Sequence, residues 1–210
     1  MPVIFLISAM PLNEMQVKSL IDNNVWNDDC PVHYSELTIQ KVPYVNFDGF
    51  SQIGELLIAT TVVESVTLIF EELYHIKFPI HQIKLIDEFS GDDLLSMEAN
   101  NSSAYNGRRI MNTEKWSSHA YGVAIDINPL QNPYMVFDSD SSSIKVYPSK
   151  GLKYVNRGIQ KPGMVEEIVS IFKKHGFTEW GGNWELKPDY HHFQLPWEKI
   201  NEMFNDSVNN

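Results

Sequence analysis

The sequence predicts an α+β fold, in which strands and helices are mixed without a regular alternation. Residues 42–50 (VPYVNFDGF) alternate apolar and polar side chains and end in an Asp-Gly dipeptide typical of hairpin turns, so residues 54–58 are the expected partner strand. Residues 60–76 and 162–174 carry apolar side chains at three- and four-residue steps, as amphipathic helices do. Because no regular strand–helix–strand repeat follows, an α+β fold is favoured.

The ends of the helices are marked by capping residues. Residues 11–24 have helical spacing of apolar side chains, and Asn13 is the expected N-cap. Thr61 is the expected cap of the helix that follows the hairpin. Gly176 lies just beyond the next amphipathic helix, where glycine favours helix termination, and a last short helix is expected to begin at Pro196.

The remaining segments are a short strand and two polar connections. Residues 82–86 are a strand candidate, and residues 138–143 (DSDSSS) are an expected exposed loop. Residues 88–115 are predicted to be a long connection without regular structure. Because such stretches inside compact domains are usually functional or disordered, and this one precedes the histidine-containing segment, we expect it to be functional.

Charge and composition exclude several functional classes. The net charge of −11 argues against nucleic acid as a partner, since phosphate binding requires a surface rich in Lys and Arg. The apolar start VIFLISAM is too short to cross a membrane and has no Lys or Arg before it, so we expect no membrane span and find no readable signal peptide. The single cysteine, Cys30, excludes an internal disulfide framework.

Two distant segments carry candidate metal ligands and a candidate base. His119 and Asp126 lie in WSSHAYGVAIDINP, and a histidine of KPDYHHFQL, with His192 as the candidate, supplies the third ligand. Two nitrogens and one carboxylate around an open position form the ligand set of a catalytic zinc, whereas a structural site would normally use several cysteines. Asp189, three residues before His192, is the candidate general base.

Local geometry constrains these candidates. Residues seven apart on a strand face opposite sides, so His119 and Asp126 converge only if the chain turns between them, which Gly122 permits. We therefore expect His119 on a loop and Asp126 on a strand. In DYHHF, strand alternation would favour His191 over His192 as the ligand if the strand already includes Asp189, so the pattern alone does not choose between the two histidines.

These motifs resemble those of a known enzyme family. The pattern SxHxxGxAxD at residues 117–126, followed by DxxHF at residues 189–193, resembles the zinc D-alanyl-D-alanine carboxypeptidases and the related L-alanyl-D-glutamate endopeptidases of bacterial and phage cell-wall lysis. The segments VPYVNFDGF, FPIHQIKLIDEF, SMEANNSSAYNGR and HGFTEWGGNW resemble that group in the same order. We therefore predict an N-terminal extension at residues 1–41 and a catalytic domain at residues 42–210.

The resemblance implies roles for individual residues. It implies a zinc cofactor bound by His119, Asp126 and His192, with Asp189 as general base. Arg108 matches the arginine that binds the substrate, with Arg109 as its rival. This arginine would clamp a carboxylate or stabilise the oxyanion of the tetrahedral intermediate.

Three further residues are predicted to contact the substrate. Ser117 matches the motif serine near the substrate in the family. Tyr121 and Trp180 are among the aromatic residues that flank the motifs and could line a groove for the substrate. The resemblance also implies the small α+β fold that this group shares with the hedgehog signalling domain, with an antiparallel sheet under the zinc and helices at its flanks.

The implied function is hydrolysis of a peptide bond in peptidoglycan stem peptides. The expected activity is that of a D-alanyl-D-alanine carboxypeptidase, and an L-alanyl-D-glutamate endopeptidase is the nearest alternative. An alternative of another class is a non-catalytic module that binds zinc or the cell wall. The expected partner is a peptidoglycan stem peptide, and the expected state is a monomer in the cell envelope or outside the cell.

Overall fold

A computed structural model describes residues 8–111, 113–137 and 143–205, and it confirms the α+β class. The predicted loop at residues 138–143 lies outside these ranges except for residue 143, and the apolar start VIFLISAM lies outside them except for residues 8–10. The strands are β1 (Ala9–Pro11), β2 (Leu37–Val45), β3 (Ser51–Ala59), β4 (Gln82–Ile83), β5 (Asn101–Ser102), β6 (Ala124–Asp126), β7 (Tyr134–Phe137), β8 (Ile144–Tyr147), β9 (Glu179–Trp180) and β10 (His192–Gln194). The α-helices are α1 (Glu14–Asp22), α2 (Val63–His75), α3 (Asp93–Glu98), α4 (Val169–Lys174) and α5 (Trp197–Asn205).

The predicted hairpin is formed by β2 and β3, with β1 added at the outer edge of β2. Its turn is closed by the Asn46 carboxamide oxygen, which accepts hydrogen bonds from the backbone N–H groups of Asp48 and Phe50, and by Gly49 at φ +83°. The first strand begins at Leu37, earlier than predicted. Residues 37–40 (LTIQ) alternate apolar and polar side chains as a strand does, so this start was readable from the sequence and was overlooked. The polar side chains of Thr38 and Gln40 are buried as well.

Two apolar cores lie on opposite faces of the hairpin. On one face, the hairpin side chains pack against α2, α4, β6 and β10, with Phe70, Phe172 and Phe193 fully buried. On the other face, Leu20, Val25, Trp26 and Val32 from the first forty residues pack against Leu37, Ile39 and Leu57. The N-terminal segment therefore covers one face of the hairpin sheet. The predicted domain boundary after residue 41 falls within β2, and the division into extension and catalytic domain stays a prediction.

The helices lie where the sequence predicts them, but two of them begin later than predicted. Asn13 caps α1 as predicted, in a reciprocal capping box with Gln16. The prediction that Thr61 caps α2 is wrong, because the chain enters this helix through a 3-10 turn at Thr60–Val62 and the N-cap position is Val62, which makes no side-chain cap. Similarly, α4 begins only after the 3-10 turn Val165–Ile168, while Gly176 follows it at φ +94° as expected.

The prediction that residues 88–115 lack regular structure is wrong. This segment contains α3, whose first turn is capped by Asp92, and β5, which pairs in parallel with β4. The strand predicted at residues 82–86 is limited to β4, because a 3-10 turn begins at Ile86. The Asn101 side chain joins the two strands by bonds to the backbone N–H and carbonyl of Lys84. Polar contacts rather than apolar periodicity specify this region, so the sequence pattern did not reveal it.

A second antiparallel sheet has the strand order β6-β10-β9. In its register His192 lies opposite Asp126, and Phe193 lies opposite both Ile125 and Trp180. The Phe193 ring stacks on Phe172 of α4 with 3.9 Å between the ring centroids. The apolar core therefore fixes the central strand, and that strand carries one of the candidate ligands.

Replacement of Phe172 by Ala tests the dependence of the site strand on the core. The ring is 0% exposed and packs on Phe177 and Phe193, so Phe172→Ala should lower the free energy of unfolding by about 3–5 kcal/mol, measured by equilibrium urea unfolding at fixed zinc concentration. The control is Phe50→Ala, at a ring that is 66% exposed, which should change stability by less than about 0.5 kcal/mol. Equal effects of the two substitutions would contradict this assignment of the core.

Candidate metal centre

Three separate elements bring the candidate ligands together. His119 lies in the 3-10 turn Ser118–Tyr121, Asp126 ends β6, and His192 begins β10. The turn ends at Gly122, where the backbone has φ +70°. A Cβ added at this position would lie 2.5 Å from the backbone nitrogen of Ala59. Glycine is therefore required there for both conformation and space. The predicted placement of His119 on a loop and Asp126 on a strand is confirmed.

The ligand atoms have the spacing that a zinc ion needs. His119 Nε2 lies 3.0 Å from His192 Nδ1 and 3.3 Å from Asp126 Oδ2, and His192 Nδ1 lies 3.1 Å from Asp126 Oδ1. Tetrahedral zinc with bonds of about 2.0–2.1 Å separates its ligand atoms by roughly 3.3 Å. All three side chains are buried. Within the described residues, this group could therefore hold a metal ion.

The second nitrogen of each histidine is engaged by an acceptor outside the group. His119 Nδ1 donates a hydrogen bond to the carbonyl oxygen of Ala104, and His192 Nε2 donates one to the carboxamide oxygen of Gln194 at 2.8 Å. With those protons placed, the neutral rings turn the lone pairs of His119 Nε2 and His192 Nδ1 toward each other and toward the Asp126 carboxylate. Three converging electron pairs repel one another unless a cation lies between them, so the arrangement suits a metal ion.

The charge of Asp126 is stabilised by its neighbours. Burial raises the pKa of this carboxyl group, but the facing His119 and His191 lower it well below its usual range. Asp126 is therefore a carboxylate at neutral pH, as a metal ligand must be.

His191 lies beside the ligand group and contacts the candidate base. Its Nδ1 donates to the carbonyl oxygen of Asn132 at 2.8 Å, and its Nε2 lies 2.9 Å from Asp189 Oδ1 and 3.7 Å from Asp126 Oδ2. Burial lowers the pKa of His191, but the charges of Asp189 and Asp126 outweigh burial and raise it to about 9. Its ring is therefore a cation between two carboxylates, and the structure brings His192 rather than His191 into the ligand group.

The chain matches one family model. Residues 111–195 match the model of a D-alanyl-D-alanine carboxypeptidase family, and this segment contains Ser117, Asp189 and the three metal-binding candidates. The resemblance to this peptidase family is confirmed. Among curated proteins and among solved structures, none matches the chain. The match and the ligand group together support a metallopeptidase, and the family implies a peptide as the substrate.

Two glycines, Gly181 and Gly182, leave the space that Asp189 and Trp180 occupy. A Cβ added at Gly181 would lie 2.5 Å from the backbone oxygen of Asp189, whose N–H donates to the Gly181 carbonyl at 2.9 Å. A Cβ added at Gly182 would lie 2.3 Å from the Trp180 indole ring. The WGG sequence therefore allows the 3-10 turn Gly181–Asn183 to pack closely against the segment that carries the candidate base, Asp189.

The backbone of Arg108 lies next to the ligand turn, which is the 3-10 turn Ser118–Tyr121 that carries His119. Its carbonyl accepts a hydrogen bond from the Ser117 N–H at 3.1 Å, and its guanidinium forms an ion pair with Asp93 of α3. Its Nε atom is buried and has no hydrogen-bond partner among the described residues. The guanidinium of Arg109 instead lies over the Trp116 ring, 4.2 Å from its centroid. Arg108 thus keeps one buried donor without a partner in the described part of the chain, and its contact with substrate stays a prediction.

The other predicted substrate residues have structural contacts of their own. The Ser117 hydroxyl accepts a hydrogen bond from the His119 N–H at 3.3 Å and so caps the ligand turn. The Tyr121 ring packs against Trp197 and Phe204 of α5. The Trp180 indole N–H donates to the carbonyl of Tyr190 at 2.9 Å. These contacts position the residues around the ligand segments, while their roles in substrate binding stay predictions.

Sequence reasoning missed the residues that surround the ligands. Gln194 and Ser118 bond to each other and lie within 3.4 Å of His192 Nε2, and His191 links Asp189 to the ligand group. One signal was available, because Gln194 is two residues from His192 and therefore shares its face of the strand. The backbone carbonyls of Ala104 and Asn132 could not be identified from the sequence, because every residue has a backbone carbonyl.

Metal loading should change the stability of the folded protein. A ligand at a thousand times its Kd stabilises the native state by about 4 kcal/mol, which raises the Tm of a chain of this size by on the order of 10 °C. We therefore expect chelation to lower the Tm, measured by calorimetry, and one equivalent of zinc to restore it. His192→Ala should abolish the response, whereas His81→Ala, at an exposed histidine outside the site, should preserve it. A response that survives His192→Ala would place the zinc elsewhere.

Proposed function

We propose that this protein is a zinc-dependent peptidase that hydrolyses a peptide bond in peptidoglycan stem peptides, with D-alanyl-D-alanine carboxypeptidase activity. The observation that carries the proposal is the buried His119–Asp126–His192 group within the segment that matches the family. Its donor set and spacing suit zinc, and the turn next to it contributes a carboxylate, Asp189, which metal binding alone does not require.

The proposed chemistry assigns one task to each residue around the metal. When bound, zinc supplies a Lewis acid that activates water and polarises the scissile carbonyl. Asp189 accepts a proton from the attacking water at a carboxylate oxygen and delivers it to the leaving amine. His191 holds that carboxylate from one side through its Nε2, and the close approach of Gly181 fixes the backbone beneath it.

Arg108 is the proposed anchor for the substrate. Its planar guanidinium suits a carboxylate such as the one at the end of a stem peptide, and it would stabilise negative charge that develops during the reaction. In the structure the guanidinium is partly exposed and is paired with Asp93, which holds it beside the ligand turn. A substrate carboxylate would share or replace this pairing.

The proposed site of action is the cell envelope or the space outside the cell. Among the described residues, none of the helices is both long and apolar enough to cross a membrane. The chain carries a net charge of −11, so the proposed partner is a peptide rather than a nucleic acid. The proposed state is a monomer.

Digestion of purified peptidoglycan distinguishes the possible activities. We expect the zinc-loaded protein to release a terminal D-alanine from stem peptides, detected by mass spectrometry, and a chelated sample to release none. Cleavage inside the stem would identify an L-alanyl-D-glutamate-type endopeptidase instead. Absence of any chelator-sensitive product would contradict a hydrolase and favour a non-catalytic module that binds zinc or the wall.

The role of Asp189 as a base is separable from metal binding. Asp189→Asn preserves the size of the side chain but removes its ability to take a proton, so kcat should fall by about 10²–10⁴-fold while zinc content stays at one equivalent. Turnover is measured by D-alanine release and zinc by elemental analysis of the same sample. The matched control is Asp87→Asn, at a partly buried carboxylate that bonds Ser19 far along the chain. Activity in Asp189→Asn equal to wild type would exclude this residue as the base.

A further inference from the structure

A chain of hydrogen bonds leads from the metal centre to the outer strand of its sheet. His192 Nε2 lies 2.8 Å from Gln194 Oε1, and Gln194 Nε2 lies 2.8 Å from Glu179 Oε2 on β9. The Ser118 hydroxyl also donates to Gln194 Oε1 at 2.8 Å. Gln194 and Ser118 are both buried, at 3% exposure each. Gln194 and Ser118 therefore converge on the nitrogen of His192 that faces away from the ligand group, and Glu179 binds the far end of the Gln194 amide.

The orientation of the Gln194 carboxamide is set by Glu179. A carboxylate only accepts hydrogen bonds, so the amide group that faces Glu179 Oε2 must be the NH₂ group. The opposite amide orientation would place two acceptor oxygens 2.8 Å apart in a partly buried site. The carbonyl end of Gln194 consequently points to Ser118 and to His192.

The orientation of Gln194 in turn sets the tautomer of His192. Because Gln194 Oε1 is an acceptor, the facing His192 Nε2 must carry the proton. The neutral ring then has its lone pair on Nδ1, the atom that lies 3.0 Å from His119 Nε2 and 3.1 Å from Asp126 Oδ1. In the other tautomer, Nδ1 would carry a proton and would not bind a metal.

We propose that Gln194, oriented by Glu179, is a positioning residue that holds His192 in the tautomer that binds zinc through Nδ1. This inference rests on the metal site of the proposed function, but it is independent of the bond that is cleaved. Glu179 and Gln194 act through His192, and neither touches the metal or the substrate. Partners of this kind typically change metal affinity by about 10- to 100-fold when they are removed.

An exchange of the two side chains provides the most specific test. Gln194→Leu removes the acceptor, and it should weaken zinc binding by about 10- to 100-fold in competition with a chromophoric chelator. Gln194→Glu alone keeps an acceptor toward His192 but sets two carboxylates against each other, so it should also weaken binding. Gln194→Glu combined with Glu179→Gln restores one donor between the two positions and keeps the acceptor toward His192. The double variant should recover affinity to within about threefold of wild type, against the 10- to 100-fold loss of the single change.

The controls separate positioning from general damage to the fold. Gln40→Leu, at a fully buried glutamine of β2, should leave zinc affinity unchanged. The melting temperature of each zinc-free variant reports the fold, and ¹⁵N resonances of the His192 ring report which nitrogen carries the proton. We expect a protonated Nε2 in the wild type and in the double variant, and a mixture of tautomers in Gln194→Leu.

Three results would overturn the inference or its basis. Wild-type affinity in Gln194→Leu would exclude a positioning role, and so would a double variant that is no better than Gln194→Glu although its zinc-free fold is intact. A wild-type protein that binds no zinc would remove the metal site and this inference with it. If wild type binds zinc but hydrolyses no stem peptide, only the proposed function fails, and the affinity series still decides the role of Gln194.

Discussion

The antiparallel pairing of β10 with β6 places His192 directly across from Asp126, and the candidate metal centre depends on this register. A slip of one residue would bring Phe193 to the ligand position and turn His192 into the core. The core prevents such a slip, because the Phe193 ring stacks on Phe172 and is fully buried. Apolar packing on one face of the strand therefore determines the geometry of the polar site on the other face.

The remaining candidate ligand, His119, is positioned by the hairpin sheet. Its turn ends at Gly122, whose carbonyl accepts a hydrogen bond from the Ala59 N–H at the end of β3, and its Nδ1 is bonded to the backbone of Ala104. The backbone N–H of Tyr105, the next residue, donates to the carbonyl of Leu57 on the same strand. The hairpin thus sets both the position of the His119 turn and the acceptor that orients its ring.

The sequence predicted the parts of this molecule whose residues have a chemical or periodic signature. The ligand motif, the hairpin and the position of α2 fall in this class. The first half of β2 was overlooked although its sequence LTIQ alternates apolar and polar side chains. In contrast, α3 was missed because polar caps and the Asn101 bonds specify it. Gln194 was missed because its role depends on Glu179 and Ser118, which only the folded sheet brings next to it.

The adjacent histidines 191 and 192 show how one dipeptide serves two purposes in such a sheet. His192 directs its Nδ1 to the ligand group, whereas His191 points its Nε2 to Asp189 and its Nδ1 to the Asn132 carbonyl. The pKa of about 9 at His191 keeps a positive charge between Asp126 and Asp189, which offsets the repulsion between these two carboxylates. A second carboxylate can therefore lie close to the ligand carboxylate in a buried site. A base beside a metal requires this second carboxylate, whereas a site that only binds a metal does not require it.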